Sequence, residues 1–258
     1  MSDGRWVGIS IQRSNRDMRT YLVAALLVLT VGLDGCVNYS GWRAVNGSGN
    51  VVTEDRQVSG FDQVSVSGAG ELTLTQGDEE SLKIETDDNL LPLIESKVHN
   101  GVLSIGPREG NLRPTEGIHY QLHLKKLSDL QLSGAVRAEA DSIKMDRLGL
   151  GISGAAKVSV AHLDTQALST QISGAGSASA TGRAERQVIR ITGAGNHHAL
   201  DLKCAQAEAH VSGAGHAFLW VTESLTAHVS GSGGVEYRGD PRVESHVSGA
   251  GRVKVSRQ

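Results

Sequence analysis

The chain has 258 residues, 39% of them hydrophobic but only 3% aromatic, and sets 32 glycines beside 4 prolines. That balance excludes a collagenous chain, which needs glycine at every third position, and a proline-rich low-complexity chain. With 25 Lys and Arg against 28 Asp and Glu the formal net charge is -3, so no global positive field is available to draw in nucleic acid. Two cysteines in the whole chain exclude a disulfide-dense scaffold and a multi-cysteine zinc module. The core must therefore be built from Val, Leu, Ile and Ala.

From the N-terminus, the first pattern is an uncharged apolar run at residues 22 to 33, LVAALLVLTVGL, too short for the roughly 20 residues that span a bilayer as a helix. Arg16 and Arg19 precede it and small polar residues follow, the order of a secretory signal. Met18 stands directly ahead, so residues 1–17 read either as an over-extended start or as a featureless leader. The run ends in Leu33-Asp34-Gly35-Cys36 and resembles a bacterial lipoprotein signal, whose cysteine is acylated; Asp34 departs from the small or hydroxyl residue usual at that place. The resemblance implies acylation at Cys36 and a membrane contact through a lipid anchor, each buried methylene adding about 0.8 kcal/mol. The alternative is a plain cleaved signal. Val37 in place of the aspartate that marks inner-membrane retention implies an outer-membrane lipoprotein facing the periplasm or the surface.

Beyond the signal, one phrase recurs. Ser/Thr-Gly-Ala/Ser-Gly or a close variant begins at Ser67, Ser133, Ser153, Ser173, Thr192, Ser212, Ser230 and Ser248, with steps from Ser133 onward of 20, 20, 19, 20, 18 and 18 residues. A near-constant step with small drift is the mark of stacked coils. Each phrase follows an apolar residue (Leu132, Ile152, Ile172, Ile191, Val211, Val229, Val247) and precedes a second alternation such as Val158 and Val160 or Ala217 and Leu219. Two period-2 strands joined at a glycine corner are expected in every repeat. A lone coil of this length cannot bury its apolar face, whereas coils stacked about 4.8 Å apart pair each strand with its equivalent in the next. The fold expected is all-β, a parallel β-helix, and the handedness of parallel crossovers favours the right-handed form.

The N-terminal part is less regular. Val64 to Gly70 and Leu72 to Leu74 repeat the two strands and corner, and Asn46-Gly-Ser-Gly-Asn50 reads as a degenerate earlier corner. In the stretch from Asp87 to Asn100, Asp87 or Asp88 is expected to cap a short helix with Pro92 in its first turn, and Asn100-Gly101 to turn a hairpin into Val102. A loop is expected from Pro107 to Pro114, with strands resuming near Ile118.

This succession of an apolar strand with Ser-Gly-Ala-Gly, an Asp-Asn-Leu-Leu segment, an Asn-Gly turn and then serial Ser-Gly-Ala-Gly coils resembles the putative auto-transporter adhesin head (GIN) domain family of bacterial envelope proteins. The likeness covers roughly residues 50 to 255. It implies a β-helical domain on an exported, often lipid-anchored protein, and it brings no catalytic residues. The expected organisation is a leader and signal over 1–36, a linker over 37–49 and the β-helical domain over 50–255.

The glycine pairs lead into strands and not into the helix N-terminus that a phosphate loop needs, and no HExxH, GxSxG or paired-cysteine motif occurs. His210, His228 and His246 each stand two residues before a corner serine and, alternating with Val211, Val229 and Val247, face outward in a row whose earlier members are Gln171 and Arg190. This is the expected surface-contact row. Neutral imidazoles so placed are metal ligands in principle, but Gln and Arg at the same place on earlier coils favour a solvated ladder, so neither metal nor cofactor is expected. His197 falls where other coils have inward Ala or Val, and it reads as a bulge or as a buried side chain with a hydrogen-bond partner. Cys204 reads as a small buried residue.

The function expected is therefore non-enzymatic: an envelope-anchored binding or adhesion module contacting an extended polysaccharide or an envelope protein. The rivals are a structural assembly protein and, more distantly, a β-helical polysaccharide-acting enzyme. The charged C-terminal stretch Arg252 to Arg257 points to a monomer or a small homo-oligomer.

Overall fold

The computed structural model describes residues 44–256. The leader, the signal, Cys36 and the first part of the linker lie outside the described residues.

Period-2 patterning has the predicted consequence: the chain forms strands almost throughout, with no α-helix among the described residues. The regular part runs through β9 (Asp129–Gly154), β10 (Lys157–Gly174), β11 (Ser177–Gly193), β12 (Asn196–Gly213), β13 (His216–Gly231), β14 (Gly234–Arg238), β15 (Arg242–Gly249) and β16 (Arg252–Val255). Each pairs in parallel with its equivalent in the next coil, making a β-solenoid of about six turns. A long strand here is a bent coil. In β10 the buried residues are Val158, Val160, Leu163, Thr165, Leu168, Thr170 and Ile172, and the alternation breaks at Ala161-His162 and again at Gln166-Ala167. With the glycine corner these breaks give three short faces around one thin core. The register shift between β10 and β11 falls at the first break, between Val160 and Leu163.

Glycine is required at the corner for two reasons. From Gly134 to Gly249 the first glycine of each phrase has φ between +85° and +114°, a region that costs other residues free energy. A Cβ built on Gly174 would also stand 2.7 Å from the carbonyl oxygen of Gly154. That oxygen is engaged, accepting from the Ala175 amide at 2.9 Å, as the Gly174 oxygen does from Ala194. The second glycine is a packing position instead. It is Val136 and Ala156 in the early coils and Gly176, Gly195, Gly215 and Gly233 later, and a Cβ on Gly176 would meet the Ile152 side chain and, at 2.6 Å, the Ala156 oxygen.

The N-terminal strands are β1 (Ala44–Asn46), β2 (Val51–Arg56), β3 (Gln63–Gln76), β4 (Ser81–Asp87), β5 (Ile94–His99), β6 (Val102–Pro107), β7 (Asn111–Arg113) and β8 (His119–Leu124). β3 is the first coil strand, parallel to β9 with corner residue Gly68 opposite Gly134. On its other side β8 pairs with it in parallel, β4 runs antiparallel to β8, and β2 antiparallel to β4. The Asn100-Gly101 hairpin is present: both residues have positive φ, and His99 pairs with Val102 across a two-residue turn.

Three local expectations change. The short helix is a single 3-10 turn, Leu91–Leu93, with proline in its first positions and no side-chain cap. Asp87 does not cap it. Fully buried, Asp87 accepts hydrogen bonds from the amides of Gly49 and Thr115 and from the Thr115 hydroxyl, tying two loops to the end of β4. The Thr115 hydroxyl, with these amides, holds its carboxyl below the ordinary carboxylate range. Asn46 to Asn50 is accordingly no coil corner: Asn46 ends β1 and residues 47–50 form the loop to β2, clamped by Asp87, Asp88 and Asn89. The third change is in the loop expected from Pro107: it contains β7, which pairs with β1, so Ala44–Asn46 from the expected linker is a strand.

Candidate functional site: side-chain rows on the stacked coils

In a parallel stack in register, one position of the repeat becomes a row along the molecule. The pairing aligns Gln171 with Arg190, Arg190 with His210, His210 with His228 and His228 with His246, so the five residues read from sequence occupy one ladder. Gln171, Arg190 and His246 are exposed, and His210 and His228 are half-buried. The imidazoles stack face to face, with ring centroids 4.8 Å apart from His210 to His228 and 5.0 Å from His228 to His246, tilted by 10° and 11°. Their faces are therefore spent on each other, and ring edges are what the surface presents. Glu208 Oε1 lies 2.6 Å from His210 Nε2, and this contact holds the Glu208 carboxyl below its ordinary pKa.

Beside the ladder runs a hydroxyl row, Thr192, Ser212, Ser230 and Ser248, in the same register. From Arg190 onward the two rows line a surface groove of about 560 Å³. Hydrogen-bonding groups thus recur at each coil step along a straight line, which suits contact with an extended chain better than enclosure of a small molecule.

The ladder does not suit a shared metal ion. Two nitrogens on one zinc at 2.0–2.1 Å stand about 3.4 Å apart in tetrahedral geometry, whereas these parallel rings repeat at 4.8 and 5.0 Å. No group of three or more His, Cys, Asp or Glu among the described residues is arranged to hold a metal.

Two further rows escaped the sequence reading. On the face after the corner, His198 stacks on Phe218 at 4.9 Å and 6°, and Trp220 is flanked by Arg238 at 4.1 Å and Lys203 at 5.7 Å from its ring centroid. The signal was present, since inward Ala217, Leu219 and Val221 force Phe218 and Trp220 outward by alternation. Around the next bend, Lys144, Asp164, Arg183 and Lys203 follow one another along a second groove of about 900 Å³. Arg183 is bound there to both oxygens of Asp164 at 2.8 Å, so one of the row's three cations is neutralised within it and the row stays net positive.

Inside the solenoid, His197 is fully buried, which decides between the two readings of that residue. Its Nε2 lies 3.4 Å from Gln187 Oε1, and Gln187 in turn reaches the Leu202 carbonyl at 3.5 Å. His197 Nδ1 has no partner among the described residues. Desolvation, with a smaller effect from neighbouring His198, lowers its pKa to about 4. Cys204 is buried as expected, and desolvation pushes its thiol up to about 11. A thiol that remains protonated at neutral pH is a packing group and not a nucleophile.

A parallel β-solenoid whose repeated positions become straight polar rows on flat faces is the class these features define. The chain belongs to the family described as putative auto-transporter adhesin, head GIN domain, whose model matches residues 60–241. Among solved structures it is similar to a putative adhesin from Bacteroides fragilis, with 23% identity over 82% of this chain and 100% of that one and a TM-score of 0.77. It is also similar to a putative lipid binding protein from Parabacteroides distasonis, with 22% identity, 83% and 100% coverage and a TM-score of 0.69. A putative adhesin from Parabacteroides merdae matches at 22% identity, 83% and 99% coverage and a TM-score of 0.67. At these identities the likeness is one of fold. No match was found among curated proteins.

Proposed function

We propose that this protein is a non-enzymatic adhesion module of the bacterial cell envelope, which holds an extended polysaccharide or envelope protein along the ladder Gln171, Arg190, His210, His228 and His246 and the hydroxyl row beside it. The observation that carries this reading is the register: five polar side chains from five coils stand in one line beside four hydroxyls. The family description and the names of the structural relatives support the adhesive class. Function by surface contact also fits the filled interior, where Ala, Val, Leu and Ile leave no room for a substrate.

Alanine at all five ladder positions is expected to abolish binding to envelope polysaccharide or to envelope extracts, measured by pull-down and glycan array. The melting temperature should shift by only a few degrees, because single surface changes usually stay within ±0.5 kcal/mol. Unchanged binding would place the contact elsewhere, and saturable cleavage of a polysaccharide by the purified protein would overturn the non-enzymatic reading.

Anchoring completes the proposal. Cys36 becomes the acylated first residue of the mature protein and tethers the solenoid to the outer membrane. A fatty-acid probe is expected to label the native chain and not Cys36→Ser, and Asp34→Ala is expected to speed processing. Equal labelling of the native and Cys36→Ser chains would remove the anchor from the model.

A further inference from the structure

The C-terminal end of the solenoid is built differently from the coils beneath it. Among the described residues β15 pairs on one side with β13 and has no strand on the other, and all eight of its residues are exposed. Val243 and Val247 continue the inward positions of Leu225 and Val229, which are buried one coil below. Yet they are 37% and 45% exposed, and with Val255 they make up the exposed large hydrophobic residues among those described. A free edge with apolar residues at its inward positions is a template for another strand.

The order of residues along β15 says which strand. Read outward from Ser245, the strand is self-complementary: Val243 and Val247 are equidistant from the centre, as are Glu244 and His246, and Arg242 and Ser248. Residues directly opposite in an antiparallel pair point to the same face. A copy of β15 turned about Ser245 therefore sets Val243 against Val247 on the inner side, twice by symmetry, so the two cores run on into one another. On the outer side the same operation sets Glu244 against His246, also twice, so an acid faces a base instead of its own kind. The opposite end of the sheet contrasts with this: its edge strand β2 carries exposed Thr53, Glu54 and Asp55, the charged blunting that prevents pairing.

We infer that β15 is a homodimer interface, in which two copies of this chain join C-terminal end to C-terminal end by antiparallel β15–β15 pairing centred on Ser245. The interface is isologous and closes at two copies without growing into a filament. It brings His246 of one copy beside Glu244 of the other, so the histidine ladder of one copy runs on into the row Glu244, Thr226 and Glu208 of the other. This inference rests on the edge strand and not on the ligand proposed above, and each stands or falls without the other.

Sedimentation equilibrium of the full chain in density-matched non-ionic detergent is the direct test. The expected mass is that of two chains, falling to one for Val247→Lys, which places a charge opposite Val243, with the far-UV circular dichroism unchanged because Val247 is exposed in the single chain. A second variant checks the register without disturbing the fold. Ser245→Cys, which meets itself at the two-fold, is expected to form a covalent dimer on mild oxidation at least about tenfold faster than Ser159→Cys on an outer face, since only the former brings the Cβ atoms near disulfide distance. A single-chain mass across the dilution series overturns the inference. So does a ladder of higher masses, a dimer that survives Val247→Lys, or equal crosslinking of the two cysteine variants.

Discussion

Gly174→Val is expected to lower the melting temperature by roughly 10 °C, while Ser177→Val, three residues further on, changes it by no more than about 2 °C. The glycine has φ +111°, a conformation that costs a β-branched residue about 1–3 kcal/mol. Its new Cβ would also press on the Gly154 oxygen at 2.7 Å. That oxygen cannot yield freely, because it accepts the Ala175 amide and so forms part of the stacking of one coil on the next. Overpacking of this kind adds about 1–3 kcal/mol, which brings the total to about 2–6 kcal/mol, and in a domain of this size each kcal/mol moves the midpoint by about 2–4 °C. Ser177 has negative φ, is half-buried and begins a strand, where valine is well tolerated. Thermal unfolding followed by circular dichroism makes the comparison. Equal midpoints for the two variants would mean that Gly174 is not a corner.

The second large effect is a pH dependence that belongs to one side chain. Burial lowers the His197 pKa to about 4, against about 6.5 for an unfolded histidine. Between these values the unfolded chain binds a proton that the folded chain refuses, so stability rises with pH across the window. The contribution is fully present above pH 6.5 and is lost as pH falls toward 4. At 1.36 kcal/mol per pKa unit the loss approaches about 3 kcal/mol. His197→Leu removes the ionisable group, so the difference in unfolding free energy between the native chain and this variant should follow that curve. Leaving Gln187 without its partner adds a penalty of about 1–3 kcal/mol, but that term is the same at every pH. Denaturant titrations at pH 7, 5.5 and 4 separate the slope from the offset. Parallel pH profiles for the two chains would show that His197 is not buried in its neutral form.

His197 also marks a boundary in what the residues disclose. Alternation sets it at an inward position, between Ala178 and Ala217 in the ladder, but leaves a bulge equally open, and its burial decides. Its partner does not follow from alternation. Gln187 lies on another face of the preceding coil, and only closure of the coil into a ring brings the two side chains within 3.4 Å across the core. The alanines at neighbouring inward positions, Ala178, Ala199, Ala207 and Ala209, then read as the space that a buried imidazole and amide need.

Among the later coils, sequence by itself determined the repeat, its corners, the inward set and the outward ladder from Gln171 to His246. The reason is that in a parallel stack each residue's main neighbours are its own equivalents one step away, so a periodic string already contains its contacts. Tertiary structure alone decided the N-terminal strands and their loops. There Asp87 binds Gly49 and Thr115, 38 and 28 residues distant, through antiparallel pairings that no local period encodes. It also decided what the free ends expose. Val243 and Val247 have the same pattern as the buried Leu225 and Val229, and they differ in that no coil among the described residues lies above them, a property of position in the stack that side-chain identity does not carry.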